Sequence, residues 1–413
     1  MTPSYDVKAT EAIVDRSYVA EVSGYFTESL DELNDLIEEY DLISDQNESL
    51  TPHLRATLLL RFGVLCGWSE SSLLNGQEKS KNLLTTANRI FKKLGLIKEQ
   101  AICANYLSLA YYRRNELSEA SLFLESAKSL YHKGEVRLRS ISTESLINYG
   151  LKNFEGGYKK LMTAEELFLD SGSDYYEALY HGHVAVYRRR LSLPEVEPEY
   201  KKALILYENL GNQLHQSIIK NNLAGYYISE KLFEKAEICA LSALQHAIET
   251  ENPRAIGNIQ DTLAGLFFKL GDYETSLKYS TESIIAFEKT EAFNLLINSY
   301  VMKIKTLFQL NKVPEALAAY ARACESSSKG ISPSVIDELT QTVSKFFKGR
   351  SEVNLVTQGE DSPSIDRKFQ FTAPDELDKD SLLGIEINNN DLEDFQIFSG
   401  DFIVIQENSD WVA

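Results

Sequence analysis

Between about residues 60 and 340 the apolar side chains keep helical spacing, and the helices they predict come in pairs. Asn221-Asn222-Leu223-Ala224-Gly225-Tyr226-Tyr227 leads into Leu232-Phe233-Glu234-Lys235-Ala236. Forty residues on, Thr262-Leu263-Ala264-Gly265-Leu266-Phe267 leads into Gly271-Asp272-Tyr273-Glu274-Thr275-Ser276. Earlier, Leu107-Ser108-Leu109-Ala110-Tyr111 precedes Leu117-Ser118-Glu119-Ala120. At the far end, Ile304 precedes Val313-Pro314-Glu315-Ala316. Equivalent positions fall at Trp68, Ser108, Ser145, Val184, Ala224, Ala264 and Ile304, spaced 40, 37, 39, 40, 40 and 40. Each unit predicts a first helix, a short turn often holding Gly, Asn or Asp, and a second helix. Small residues such as Ala120, Ala236 and Ala316 let the two helices approach closely. One such hairpin cannot bury both faces, whereas a stack of them makes a continuous core.

The Leu-Ala/Gly-x-x-Tyr element, with Ala twelve residues later, resembles the tetratricopeptide repeat over about 60–340. The period of forty exceeds the usual thirty-four, as in the long-helix repeats of bacterial peptide-sensing regulators and kinesin light chains. The resemblance implies a mostly α fold over 51–350, a right-handed solenoid of about seven hairpins that binds a protein or peptide. It also implies that the first helices line the inner groove. The family's inner positions fall here on Asn105, Tyr112 and Arg113, on Ser142 and Tyr149, and on His181, Arg188 and Arg189. They continue with Asn221, with Asp261, Phe268 and Lys269, and with Val301, Lys305 and Phe308. Asparagine suits a peptide backbone because it both donates and accepts. Tyrosine adds apolar area with a polar tip, and arginine a fork for carboxylates. The run Arg188-Arg189-Arg190 reads either as a solvated helix end or as a dock for an acidic segment.

Charge divides the chain into parts. The net charge is -19, but residues 1–50 hold 13 acidic and 2 basic side chains, and residues 351–413 hold 15 and 3. Residues 51–350 keep 33 acidic and 37 basic. A chain this acidic, without a basic recognition helix, predicts no direct nucleic-acid binding. Leu30, Leu33, Ile37 and Tyr40 in the acidic N-terminal segment predict a helix that caps the solenoid within 1–50. The alternative is an acidic helix that binds a partner.

Residues 351–370 read as a linker rich in Ser, Gly, Asp and Gln. Ser381–Ile387 and Ile397–Ile405 then predict strands joined through Asn388-Asn389-Asn390-Asp391. Over 371–413 this small β-rich segment resembles the C-terminal domain of LexA-like proteins, the S24 peptidases. Asp391-Leu392 stands where that family has its Ser-Met, and Gly400-Asp401 matches its Gly-Asp. An aspartate cannot form the acyl intermediate of the Ser–Lys route, and no lysine follows Lys379. The expectation is therefore no enzyme, with the segment serving as an effector or, through its unfinished sheet edge, in self-association. A bacterial transcriptional or stress regulator working through a DNA-binding partner stays open, as does an inactive S24 relic or subunit.

Other chemistry is sparse. No phosphate-binding glycine loop and no His-Glu-x-x-His occur, and no cofactor or metal is expected. Cys66, Cys103, Cys239 and Cys324 lie far apart and predict reduced thiols in a cytoplasmic protein. No secretory leader or membrane span is expected.

Overall fold

In the computed structural model the repeat pattern becomes pairs of antiparallel helices. The structure describes residues 7–40, 50–69, 76–327, 338–343, 383–386 and 402–405. An N-terminal pair comes first, α1 (Val7–Ser23) and α2 (Thr27–Tyr40). Seven pairs follow among the described residues. They are α3 (Pro52–Ser69) with α4 (Gly76–Lys93), α5 (Ile97–Arg113) with α6 (Leu117–Leu130), and α7 (Gly134–Gly150) with α8 (Phe154–Met162) and the short α9 (Glu165–Leu169). Then come α10 (Asp174–Arg190) with α11 (Val196–Asn209), α12 (Gln213–Ser229) with α13 (Phe233–Glu249), α14 (Pro253–Leu270) with α15 (Tyr273–Phe287), and α16 (Phe293–Gln309) with α17 (Val313–Ser327). The chain divides into two compact units, Met1–Leu266 with Ile285–Ala292, and Phe267–Ile284 with Phe293–Ala413.

In the first unit, small side chains set the distance between paired helices. Ala236, Ala240, Ala243 and Ala247 form a fully buried stripe on α13, facing α12. Ala120 plays the same part on α6, where its carbonyl accepts from Ser108 Oγ of α5 at 2.7 Å. Large rings fill the spaces between pairs. Tyr175, Tyr180, Tyr187, Tyr200 and Tyr207 belong to one buried cluster. Tyr187 stands on α10 and donates to the Ser145 carbonyl of α7 at 2.6 Å. Gly157 of α8 lies directly beneath it, where a Cβ would fall 2.1 Å from Tyr187 Oη.

The turns repeat as strictly as the helices. A residue in the left-handed region sits at Asn115, Lys152, Ser192, Lys231, Gly271 and Asn311, each between the helices of a pair, and the α10–α11 turn adds a second at Glu195. Only one of the seven is glycine. A side chain with a Cβ in this region costs about 1 kcal/mol. Lys231 sits at φ +61° in an exposed turn. Lys231→Gly is therefore expected to raise the unfolding free energy by roughly 0.5 kcal/mol, read from a urea midpoint with unchanged slope.

In the second unit, Phe267 stacks on Tyr279 with centroids 5.7 Å apart. Hydroxyl pairs join α15 to α16, Ser276 with Thr306 at 3.0 Å and Ser283 with Ser299 at 2.8 Å. Ala316 and Ala323 of α17 are fully buried, as expected of the small-residue positions.

α2 carries the expected acidic outer side, with Glu28, Asp31 and Asp35 exposed and Leu30 and Leu33 buried. Two four-residue strands, β1 (Leu383–Glu386) and β2 (Phe402–Ile405), pair antiparallel with Leu383 opposite Ile405. They fall within the two stretches expected as strands, Ser381–Ile387 and Ile397–Ile405, and the rest of 371–413 lies outside the described residues. Asp391, Gly400 and Asp401, which carried the S24 resemblance, lie outside the described residues.

Candidate functional site

The first helices of successive pairs in the first unit leave a cavity of about 330 Å³. Its apolar lining comes from Leu109 of α5, Leu146 of α7, Leu179 and Val186 of α10, and Ile218 and Ile219 of α12. The polar part brings Trp68, Arg113, His183, His215, Asn222, Asn252, Arg254 and Asn258 to the same space. No aspartate or glutamate is among its lining residues, although the chain carries a net charge of -19.

The polar groups are positioned by contacts between helices far apart in sequence. Asn252 Nδ2, just before α14, donates to the Trp68 carbonyl at 2.7 Å and the Ser69 carbonyl at 3.1 Å. Its Oδ1 accepts from Ala255 N at 2.9 Å, so one side chain caps α14 and ties it to the end of α3. Arg254 donates to the Arg113 carbonyl through two nitrogens, each at 3.4 Å. The Arg113 guanidinium lies 4.0 Å from the Trp68 ring centroid and donates to the Gly67 carbonyl. A second tie joins the same regions. Glu291 Oε1 accepts from Gln77 N at 3.0 Å and Glu78 N at 3.1 Å at the start of α4, and its other oxygen accepts from Arg114.

The histidines are neutral. Burial pushes His183 down to about 4, and its Nδ1 has no hydrogen-bond partner. Burial, then the nearby Arg113 charge, pushes His215 down to about 3. His215 stacks on Tyr207 at 4.8 Å, and its Nδ1 lies 3.1 Å from Asn212 Oδ1. Both folded values lie below the ordinary histidine value, so the unfolded chain takes up protons first as pH falls. The stability these groups permit is complete above about pH 6.5 and declines as pH drops toward 4. His183→Gln should flatten that decline in urea midpoints measured across this range. An unchanged pH profile would show that His183 is not a buried neutral imidazole.

α1 covers another part of the inner surface. Its Glu21 carboxylate accepts from Arg61 of α3 at 2.9 Å, from Tyr106 of α5, and from Arg139 of α7 at 3.0 Å. Burial alone would raise this acid, but Arg61 and Arg139 overcome it and hold it at about 2. Arg61 also donates to Ser17 Oγ at 2.9 Å and to the Ser17 carbonyl at 2.8 Å.

The structure divides the groove residues expected from sequence. Tyr112 and Arg113 line the cavity. Asn105 does not. It is 1% exposed, donates to the Ala101 carbonyl and accepts from Ser140 Oγ, which makes it part of the helix packing. His181 is turned to α11, with Nδ1 2.6 Å from Glu199 Oε2. Tyr149 packs edge-on to Phe154 and Tyr187. Arg188 pairs with Glu195 at 2.6 Å and donates to the Pro194 carbonyl, closing its own turn rather than awaiting an acidic segment. Arg189 reaches the Asn222 carbonyl at 3.4 Å, beside the cavity. Asn221 is half-buried with an unpartnered Oδ1, while its neighbour Asn222 lines the cavity. Asp261 is half-buried and outside the lining. Phe268, edge-on to Tyr273, exposed Lys269, and Lys305, 3.3 Å from Glu338, belong to the second unit.

The sequence reading missed Trp68, His183, His215, Asn222, Asn252, Arg254 and Asn258. Counted from the repeat reference residues, it chose places three before and four or five after. Tyr112 and Arg113, four and five after, do line the cavity, but ahead of the reference residue the lining falls two before, at Gly182 and Asn222. The difference is one residue, a rotation of about 100° on a helix.

No protein-family model and no curated protein matches the sequence. Among solved structures, a Rap protein complexed with competence and sporulation factor aligns at a TM-score of 0.55 and 16% identity, covering 81% of this chain and 99% of that one. The chain has the fold of that helical-repeat protein. NprR in complex with its cognate peptide NprX aligns at 0.47 and 16% identity, covering 67% and 84%. A signal transduction ATPase with a tetratricopeptide repeat sensor from Pyrococcus horikoshii aligns at 0.47 and 15% identity, covering 77% and 53%. These two alignments are too loose to carry an argument.

Among the described residues no helix is long and apolar enough to cross a membrane, and no group of three or more His, Cys, Asp or Glu could hold a metal ion. The four cysteines are free thiols, and burial pushes Cys66 up to about 12.

Proposed function

We propose that this chain is a non-enzymatic receptor that holds a short peptide in the cavity of its first unit. One observation carries the reading. An apolar wall, asparagine side chains and two arginines meet in one concavity that contains no carboxylate. Apolar walls take side chains, asparagines pair with a peptide backbone, and the arginines favour a ligand that is neutral or acidic. A volume of about 330 Å³ suits a few residues rather than a folded domain. The complex of the similarly folded Rap protein with competence and sporulation factor supports the same reading. The LexA-like effector role and the route through a DNA-binding partner are not part of it, because no observation adds to either.

The test selects ligands from a synthetic random pentapeptide library on the full chain, then titrates the recovered peptides. Trp68 emission reports binding in a Trp411→Phe background. The expected result is saturable binding that weakens roughly tenfold in Asn222→Ala and in Asn258→Ala, about 1.4 kcal/mol for each lost backbone contact. Recovered peptides that bind both variants as well as the parent would refute the cavity as the site.

A further inference from the structure

The N-terminal helix α1 has a second face that the peptide reading leaves unused. Its inner face is formed by Val14, Ser17, Ala20 and Glu21, all buried. Its outer face should be polar, as on any helix with one side against a core. It is polar only for its first half. Glu11, Asp15, Tyr18 and Val22 follow one another at steps of 4, 3 and 4 residues, and all four are exposed; Tyr25, exposed as well, lies past the helix end, after Gly24 at φ +80°. Tyr18 is 46% exposed, Val22 36% and Tyr25 48%, and Val19 beside them is 66% exposed. Alternating steps of three and four are the spacing of a coiled-coil seam. The seam reads two acids, then two apolar residues.

We propose that this seam docks a basic amphipathic helix of a partner protein. Basic side chains of the partner lie against Glu11 and Asp15, and its apolar ones cover Tyr18 and Val22. The helical occupant is argued from the seam's spacing, which a second helix matches along its length. Its basic charge is argued from the acids within the seam and from the exposed Glu28, Asp31 and Asp35 of α2 next to it in the chain. The same acids disfavour an anionic membrane surface.

The seam is also held in place, which lowers the entropy cost of docking. Glu21 fastens α1 to three helices of the solenoid through Arg61, Tyr106 and Arg139. Arg16 makes two contacts with the Glu32 carboxylate of α2, at 2.7 and 3.0 Å. The Arg61 guanidinium stacks 3.8 Å from the Tyr18 ring centroid and supports that side chain from below.

The experiment uses the full chain and a fluorescein-labelled twenty-residue peptide, with Lys at two successive seam positions and Leu at the next two. Anisotropy is expected to show saturable binding, at least tenfold weaker for Tyr18→Ser/Val22→Ser. Glu11→Lys/Asp15→Lys should lose the Lys peptide and gain a version carrying Glu in place of Lys. Arg113→Ala, in the separate cavity, should leave peptide binding unchanged. Thermal melting confirms that each variant folds. The proposal is overturned if the parent does not bind the Lys peptide, if the serine variant binds as tightly as the parent, or if the charge exchange fails. Binding of phosphatidylserine vesicles at the seam in place of the peptide would also overturn it.

Discussion

Arg61→Ala is expected to lower the unfolding free energy by about 3–5 kcal/mol, the usual cost of removing one partner from a buried ion pair. Arg61 is 1% exposed and Glu21 5% exposed, so the carboxylate left behind cannot turn to water. It would keep Arg139 and Tyr106 but lose the partner that also fastens Ser17. A urea titration at pH 7 checks the magnitude. The double variant Arg61→Met/Glu21→Met is expected to cost far less than the sum of the single changes, because no buried charge remains unpaired. The pH dependence has a definite sign. Glu21 is held at about 2 in the folded chain, below its ordinary value of 4.5. The unfolded chain therefore takes up this proton first on acidification. The stabilisation is present above about pH 4.5 and is lost as pH falls toward 2. Glu21→Gln should remove that part of the acid sensitivity. If Arg61→Ala cost under about 1 kcal/mol, the range of an exposed pair, α1 would not be seated as described.

Gly157→Ala is expected to cost about 2–3 kcal/mol, through overpacking rather than loss of a contact. The added methyl would meet Tyr187 Oη at 2.1 Å and Asn148 Cβ at 2.9 Å. The ring cannot swing aside freely, since Tyr187 is 1% exposed and its hydroxyl is bound to the Ser145 carbonyl. Tyr187→Phe removes the obstructing oxygen. In a double-mutant cycle, Gly157→Ala should therefore cost less in the Phe background than in the parent. Equal costs in both backgrounds would mean that the hydroxyl does not set the approach of α8 to α10.

These two sites show what sequence could and could not convey. The repeat period was legible because it rests on local facts, such as helical spacing of apolar residues and a small residue where two helices meet. Ala120, Ala236 and Ala316 were placed correctly for that reason, and all three are fully buried. The face that lines the cavity was less legible. It depends on how successive pairs turn against one another, and an error of one residue turns a helix by about 100°. Hence Asn221 was chosen where Asn222 lines the cavity, and His181 where its neighbour Gly182 does. Arg188 was misread for a different reason. The loop holding Pro194 and Glu195 gives its guanidinium local acceptors that no periodicity announces. Contacts such as Asn252 with Trp68, or Glu291 with Gln77, join residues about 180 to 210 apart. They come from the summed rotation of several repeats, and nothing in either local sequence reports them. The buried carboxylate of Glu21 was hidden within an acidic segment that reads as solvated.

The most direct test of the receptor reading is a crystal structure of the full chain with a peptide recovered from the pentapeptide selection. The prediction is peptide density inside the cavity, with backbone atoms within hydrogen-bond distance of Asn222 or Asn258 and apolar side chains against Leu146, Val186 or Ile218. A peptide bound elsewhere on the chain, with the cavity unchanged, would contradict it.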